Sequence, residues 1–334
     1  VTPTRTASTD PAVSAIVLAR TPLHYHEGAD PALDRPAHVR AGSSLAWVPG
    51  GIAVVQDDAN FLAVHDPDSR RTRSIVLPAG DAGKRQFDDG RGNKKHKLDL
   101  EACVSVEHDG DLVFLALGSG SSDRREHAVI VRGWASDEPT VTVVELPQLY
   151  DALRRVDGLA GGELNLEGAV VLGDTVRLFG RGNGASRDGV ASSNATCDVD
   201  LDAFLRHVLS PDRDPAPQPR NVVRYDLGSL DGIALGFTDA APWRDGGIVY
   251  SATAEDSPDA TSDGQVAGSA IGVIDAAGAA RWSEITEKSG ERFEGKVEGL
   301  LVVPDAPDRL YVVADADDPD APSSLLVVEL RGDW

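Results

Sequence analysis

Three glutamates stand at the openings of apolar runs: Glu101 in Leu100-Glu101-Ala102-Cys103, Glu167 in Leu166-Glu167-Gly168-Ala169, and Glu298 in Val297-Glu298-Gly299-Leu300. Asp231 opens a looser copy, Asp231-Gly232-Ile233-Ala234-Leu235. The loosest copy, Leu45 to Val48 followed by Ile52 to Gln56 and Asp57-Asp58, lacks the opening acid. Carboxylates gathered in this way suit two kinds of chemistry. They can hold a hard cation through oxygen atoms, or they can move protons where their surroundings separate their pKa values.

Glu101, Glu167 and Glu298 are the catalytic candidates. The same three, with Asp231 and Glu255, are the metal-ligand candidates, to which Asn165 and Asn183 add neutral oxygens. Calcium is the economical ion for such a donor set. Magnesium and manganese fit it too, because the scattered His96, His127 and His207 supply no softer ligand cluster. The competing reading is that Lys97 and Lys296 neutralise these acids and water fills the rest. Lys84, Arg85, Lys94, Lys95, Arg124, Arg125 and Arg181 fall in loops near the acids and are candidates for meeting a small anionic ligand. Solvated loop charges are the plainer account of any one of them. Gly118-Ser119-Gly120-Ser121 offers backbone amides but lacks the Gly-Lys-Ser/Thr ending of a phosphate loop.

The spacing says which elements must position these residues. Glu101 to Glu167 is 66 residues, Glu167 to Asp231 is 64, and Asp231 to Glu298 is 67. Units of that length built from short strands suit four-stranded propeller blades with some long loops. The pattern predicts an all-β, five-bladed β-propeller, with a six-bladed ring as the alternative. Ile16 to Leu18 is expected to complete the last blade beside Ser324 to Glu329, joining the chain ends and covering a sheet edge. In an antiparallel blade the start of the first strand and the end of the second share one face. That face should therefore carry the opening acids together with Asp57, Asp58, Ser119, Ser121, Arg181, Asn183, Glu255, Asp256, Asp315, Asp317 and Asp318. The polar loops around Lys94, Ser186 and Asp259 fall on it as well. Residues 1–12 read as a flexible N-terminal arm and 13–334 as a single propeller domain.

With 32 Lys plus Arg against 54 Asp plus Glu, the formal charge is -22, which opposes binding to nucleic acid or to anionic membranes. No apolar run approaches the ~20 residues of a membrane helix, and no signal-peptide pattern opens the chain. The expectation is a cytoplasmic protein; an exported protein after processing reads the same way. Cys103 and Cys197 allow at most one bridge, and buried free thiols are the favoured reading.

The chain resembles an uncharacterised bacterial β-propeller family and, more distantly, the phytase-like esterase group. The resemblance rests on Lys97-Leu98-Asp99-Leu100-Glu101, Gly118-Ser119-Gly120-Ser121, Asn165-Leu166-Glu167-Gly168, Phe237-Thr238-Asp239, Ala254-Glu255-Asp256 and Lys296-Val297-Glu298-Gly299. It implies ester or phosphoester hydrolysis on a propeller, usually one of six blades. It assigns no nucleophile here. The leading expectation is a metal-assisted hydrolase of a small anionic or phosphorylated ester, and the alternative is a noncatalytic propeller that binds a protein partner. Glycoside hydrolysis is a third reading and would need two suitably separated carboxylates at a sugar subsite.

Overall fold

The computed structural model describes residues 2–136, 138–184, 186, 189–259 and 264–334. The polar loops expected around residues 181–195 and 256–268 therefore lie partly outside the described residues. Alternating apolar runs punctuated by turn residues fold as a succession of antiparallel meanders. The chain begins with β1 (Thr4–Thr6), β2 (Ser8–Thr9) and β3 (Ser14–Pro22). The first meander is β4 (Gly42–Val48), β5 (Gly51–Gln56), β6 (Phe61–Asp66) and β7 (Arg71–Val76). The second is β8 (Leu100–His108), β9 (Asp111–Gly118), β10 (His127–Arg132) and β11 (Thr140–Glu145). The third is β12 (Leu166–Leu172), β13 (Thr175–Gly180), β14 (Asn194–Asp200) and β15 (Arg220–Asp226).

After the short β16 (Ser229–Leu230) come β17 (Ile233–Pro242), β18 (Ile248–Asp256), β19 (Gln265–Ile274) and β20 (Ala280–Thr286). The last stretch is β21 (Lys296–Val303), β22 (Ala306–Asp315) and β23 (Ser324–Arg331). β3 pairs antiparallel with β23, from Ser324 opposite Pro22 to Arg331 opposite Ser14, so an N-terminal strand completes the C-terminal meander. A short parallel pairing of β3 with β20 fuses the last two meanders into one larger sheet. The first strands of the meanders also touch in a closed cycle: β4 on β8, β8 on β12, β12 on β17, β17 on β21 and β21 back on β4. The result is an all-β, propeller-like fold with its first strands around a central axis.

Among the described residues two α-helices interrupt the strands. α1 (Pro147–Arg154) begins with Pro at its first turn and buries Leu149, Tyr150 and Leu153, and the Tyr150 hydroxyl donates to the Gly118 carbonyl at 2.6 Å. α2 (Leu201–Leu209) follows β14 directly and is capped by the Asp200 side chain, which accepts from the Ala203 amide at 2.9 Å. Residues 1–12, expected as a flexible arm, include β1 alongside β15 and β2 alongside β20, where they cover the edges of two sheets. Both cysteines are free and buried. Among the described residues no helix is long and apolar enough to cross a membrane.

Each first strand carries a register shift near its opening. In β8 it falls between Leu100 and Ala102, in β12 between Leu166 and Gly168, in β17 between Phe237 and Asp239, in β21 between Val297 and Gly299, and in β4 between Gly42 and Leu45. The residues at the bulge are thus Glu101, Glu167, Thr238, Glu298 and the Ser43-Ser44 pair. A bulge takes one residue out of the ladder and re-aims its side chain. This is the local device behind the repeated glutamate. Just past the bulge the strands crowd together: a Cβ on Gly299 would lie 2.8 Å from the Ser44 Cα, a distance no side chain tolerates.

Candidate functional site

The bulged strand openings surround a cavity of about 370 Å³ whose lining includes Asp57, Glu101, Glu167, Arg181, Glu255 and Glu298. Asn165, Asn183, Lys94, Lys97, Lys296, Arg40 and Asp315 also line it. The structure thereby brings together, from separate meanders, three motif glutamates, Glu255, both asparagines, Arg181 and Lys94 of the sequence-predicted set. Twelve acidic side chains line the cavity against five basic ones, so the protein's own cations do not balance its carboxylates.

Those cations are already engaged. The Lys97 ammonium donates to both Asp57 oxygens at 2.6 Å and lies 2.7 Å from Asp99 Oδ1. Arg125 meets Asp99 from the other side at 2.9 Å, and the Ser119 hydroxyl also donates to Asp99. Burial alone would raise the Asp99 carboxyl, but Lys97 and Arg125 overcome it and hold the group down at about 2. Arg181 reaches across three meanders, to Glu255 at 2.7 Å, Glu167 at 3.5 Å and Glu298 at 3.9 Å. Gly236 makes room for it, since a Cβ there would sit 2.8 Å from the Arg181 Cγ. Lys296 meets Glu298 at 3.0 Å, Asp317 at 3.2 Å and Glu255 at 3.4 Å. Arg40, which sequence reasoning missed, is almost fully buried and pairs with Asp58 and Asp88.

Glu101 differs from these acids. It makes no hydrogen bond or ion pair with any described residue, and burial together with Asp57, Glu167 and Asp99 pushes its carboxyl well above the usual range. Glu167 accepts from the Asn165 amide at 2.6 Å, yet burial outweighs Arg181 and moves its carboxyl up to about 8. Burial and Asp317 raise Asp315 to about 8, and burial raises Asp58 to about 6 against the pull of Arg40. One cavity therefore holds a firmly ionised carboxylate, Asp99, together with two, Glu167 and Asp315, that keep their protons near neutrality.

Asp57, Asp99 and Glu101 form a candidate divalent-cation cluster, with ligand oxygens all within 4.8 Å of one another. Hard carboxylate oxygens suit calcium, magnesium or manganese. The donor type and the charge fit. Once an arriving cation displaces the Glu101 proton, Lys97 and Arg125 leave the three carboxylates one negative charge in excess, and Glu101 offers oxygens bound to no other described group. The cation would share Asp57 and Asp99 with Lys97.

Outside the cavity lining, among the packed first strands, lies Asp239, a buried acid that sequence reasoning did not single out. Asp239 accepts from the Ser44 hydroxyl at 3.1 Å, the Leu300 amide at 3.1 Å and its own neighbour Ala240 at 2.8 Å, tying β17 to β4 and β21. Burial drives its carboxyl well above the ordinary value.

Other predicted residues lie outside the cavity lining. Asp231 is in the turn between β16 and β17, 66% exposed at its side chain and paired with Arg292. The strand bulge sits instead at Thr238, because β17 starts early to form a hairpin with β16 and its opening acid falls seven residues short. Arg125 is buried against Asp99 and Ser121, and Arg85 donates to the Leu77 and Leu33 carbonyls. Lys84, Lys95 and Arg124 are exposed, with Arg124 against His96. Of the basic set expected to meet an anion, Arg181 and Lys94 line the cavity, and Arg181 is occupied by glutamates.

Residues 38–330 match the model of a family of unknown function, DUF6929, and the chain belongs to that family. No curated protein sequence matches the chain. Among solved structures, a mannose phosphorylase from Leishmania mexicana in complex with phosphate ion is 14% identical, with 93% of this chain and 88% of that one covered and a TM-score of 0.45. Glutaminyl cyclase from Myxococcus xanthus is 11% identical over 99% of this chain and 100% of its own, with a TM-score of 0.44. A gluconolactonase from Xanthomonas campestris is 11% identical over 96% and 99%, with a TM-score of 0.40.

Proposed function

We propose that this family member is a hydrolase of a small anionic or phosphorylated ester, that its ring is a five-bladed propeller, and that the acid-lined cavity on the axis is the reaction site. The closed cycle of five first strands and the completion of the last meander by β3 support that blade count. The observation that carries the function is Glu101: a half-buried carboxyl in the axial cavity with no partner among the described residues, beside acids that lysine and arginine already hold. Asp57, Asp99 and Glu101 would hold calcium, magnesium or manganese, which would polarise the ester's carbonyl or phosphoryl oxygen.

The chain's own residues divide the remaining work. Glu167, with a pKa of about 8, carries a proton at neutral pH that it can give to a leaving alkoxide. Arg181 and Lys296 orient Glu167, Glu255 and Glu298 toward the axis. The bare cavity, with its acid excess, would repel an anionic ester, so such a substrate would depend on the bound cation. A binding protein is the second reading. It is favoured by the exposed Lys84, Lys95 and Arg124 on the loops around the mouth, a surface suited to an acidic partner.

The test is a panel of phosphate and carboxylic esters with calcium, magnesium or manganese added, then removed by chelator. Turnover that needs the ion and disappears in Glu101→Gln is expected. Wild-type protein inert toward the whole panel under every metal condition would overturn the hydrolase reading.

A further inference from the structure

The axial cavity is open on one side. Arg181, Asn183 and Glu255 line it and also line a second cavity of about 730 Å³ over the third and fourth meanders. The two spaces therefore meet across a partition of three side chains. Asn165 donates to the Asn183 oxygen at 3.1 Å, and the Asn183 amide hydrogens have no described protein partner.

The second cavity has a different character. Among the described residues its charged side chains nearly balance, Arg181 and Arg224 against Asp226, Glu255 and Asp256. Arg181 is bound to glutamates, and Arg224 lies 3.8 Å from Asp157. Most of the rest is serine, small apolar side chains and glycine backbone. Beneath it, the buried Ser193 and Ser257 hydroxyls and the Arg181 Nε have no hydrogen-bond partner among the described residues. Such a surface asks for groups that both donate and accept without bringing charge, which is the property of hydroxyls. An extended peptide is disfavoured, because β1 already pairs with β15 from Thr4 to Thr6 and occupies the edge to which a strand would add.

We propose that this second cavity is a subsite for a neutral, hydroxyl-rich extension of the molecule whose other end enters the axial cavity. It rests on the reading of the axial cavity as the place where a ligand's end is held, and it specifies what that ligand carries beyond that end. Hydrolysis is judged by turnover and the subsite by how binding depends on ligand length, so the two can fail separately.

The experiment is calorimetric titration of the full chain, with calcium present, using glucose, maltose and maltotriose that each carry a non-hydrolysable methylphosphonate at C1 as the anionic end, and triglycine. Ala234 is exposed and lines the second cavity, so Ala234→Trp fills it without entering the core. The expected result is affinity rising ~10-fold from one ring to three as hydrogen bonds are added. That rise should vanish in Ala234→Trp while glucose binding stays. Pro258→Trp, on another part of the lining, should repeat the loss, and thermal unfolding of both variants confirms that they fold. Affinity that is flat along the series, an undiminished rise in both folded variants, or tighter binding of triglycine than of maltotriose would each overturn the proposal.

Discussion

Replacing Glu167 by Gln should flatten part of the protein's pH dependence. The Glu167 carboxyl titrates at about 8 in the folded chain against an ordinary 4.5, chiefly because burial disfavours its charged form. The folded state then binds this proton more tightly than the unfolded state. Its contribution to stability is fully present below about pH 4.5 and is lost as pH rises toward 8. Between those limits the loss is ~1.4 kcal/mol per pH unit, or roughly 3–4 kcal/mol from pH 5 to 8. Gln keeps the size and the oxygen that accepts from Asn165, and it cannot ionise. Urea unfolding of both proteins at pH 5, 6, 7 and 8 should show the variant gaining on the wild type by that amount. A difference that stays constant across the range would mean that Glu167 is ionised throughout, with Arg181 fully neutralising it, and would refute the reasoning.

Other substitutions test other parts of the site. Arg181→Gln takes away the guanidinium shared by three buried carboxylates, Glu167, Glu255 and Glu298, and should cost ~3–5 kcal/mol in urea unfolding at pH 7; a loss under 1 kcal/mol would show that Asn165 and Lys296 suffice to hold them. Asp239→Ala removes the acceptor for the Leu300 and Ala240 amides and should cost ~3 kcal/mol, read the same way. Glu101→Gln should weaken calcium or manganese binding at least ~10-fold in calorimetry while thermal stability holds or rises, because it removes a half-buried acid, crowded by other carboxylates, that has no partner among the described residues.

The residues show which features a sequence can disclose. Glu101, Glu167 and Glu298 were legible because a bulge leaves a local signature, a polar residue set against an apolar run and followed by Gly or Ala, where neighbouring first strands crowd. The fourth copy was misplaced at Asp231 because the same acid-Gly pattern also makes an ordinary hairpin turn, here between β16 and β17. Phe237-Thr238-Asp239-Ala240 holds the true bulge with a hydroxyl in place of the acid, and Ser43-Ser44 does the same in β4. The closure of β3 on β23 was legible from two unpaired apolar runs at the chain ends.

The ion pairs were not legible, because they are set by which strand ends face each other across the axis. Lys97, which the competing reading set against the motif glutamates, holds Asp57 and Asp99. Arg181 was expected to face a ligand and instead joins three meanders. Arg40 precedes a run of small residues, Ala41 to Ser44, and that run, which lets the backbone crowd the axis, is the signal that could have marked it as buried.

The central claim, that the axial cavity holds a divalent cation for chemistry at Glu101, is tested most directly by anomalous diffraction from crystals grown with manganese. The account predicts one strong peak within ~2.0–2.6 Å of Glu101 and of Asp57 or Asp99. An axial cavity without a peak at saturating manganese, with Lys97 still bridging Asp57 and Asp99, would contradict it.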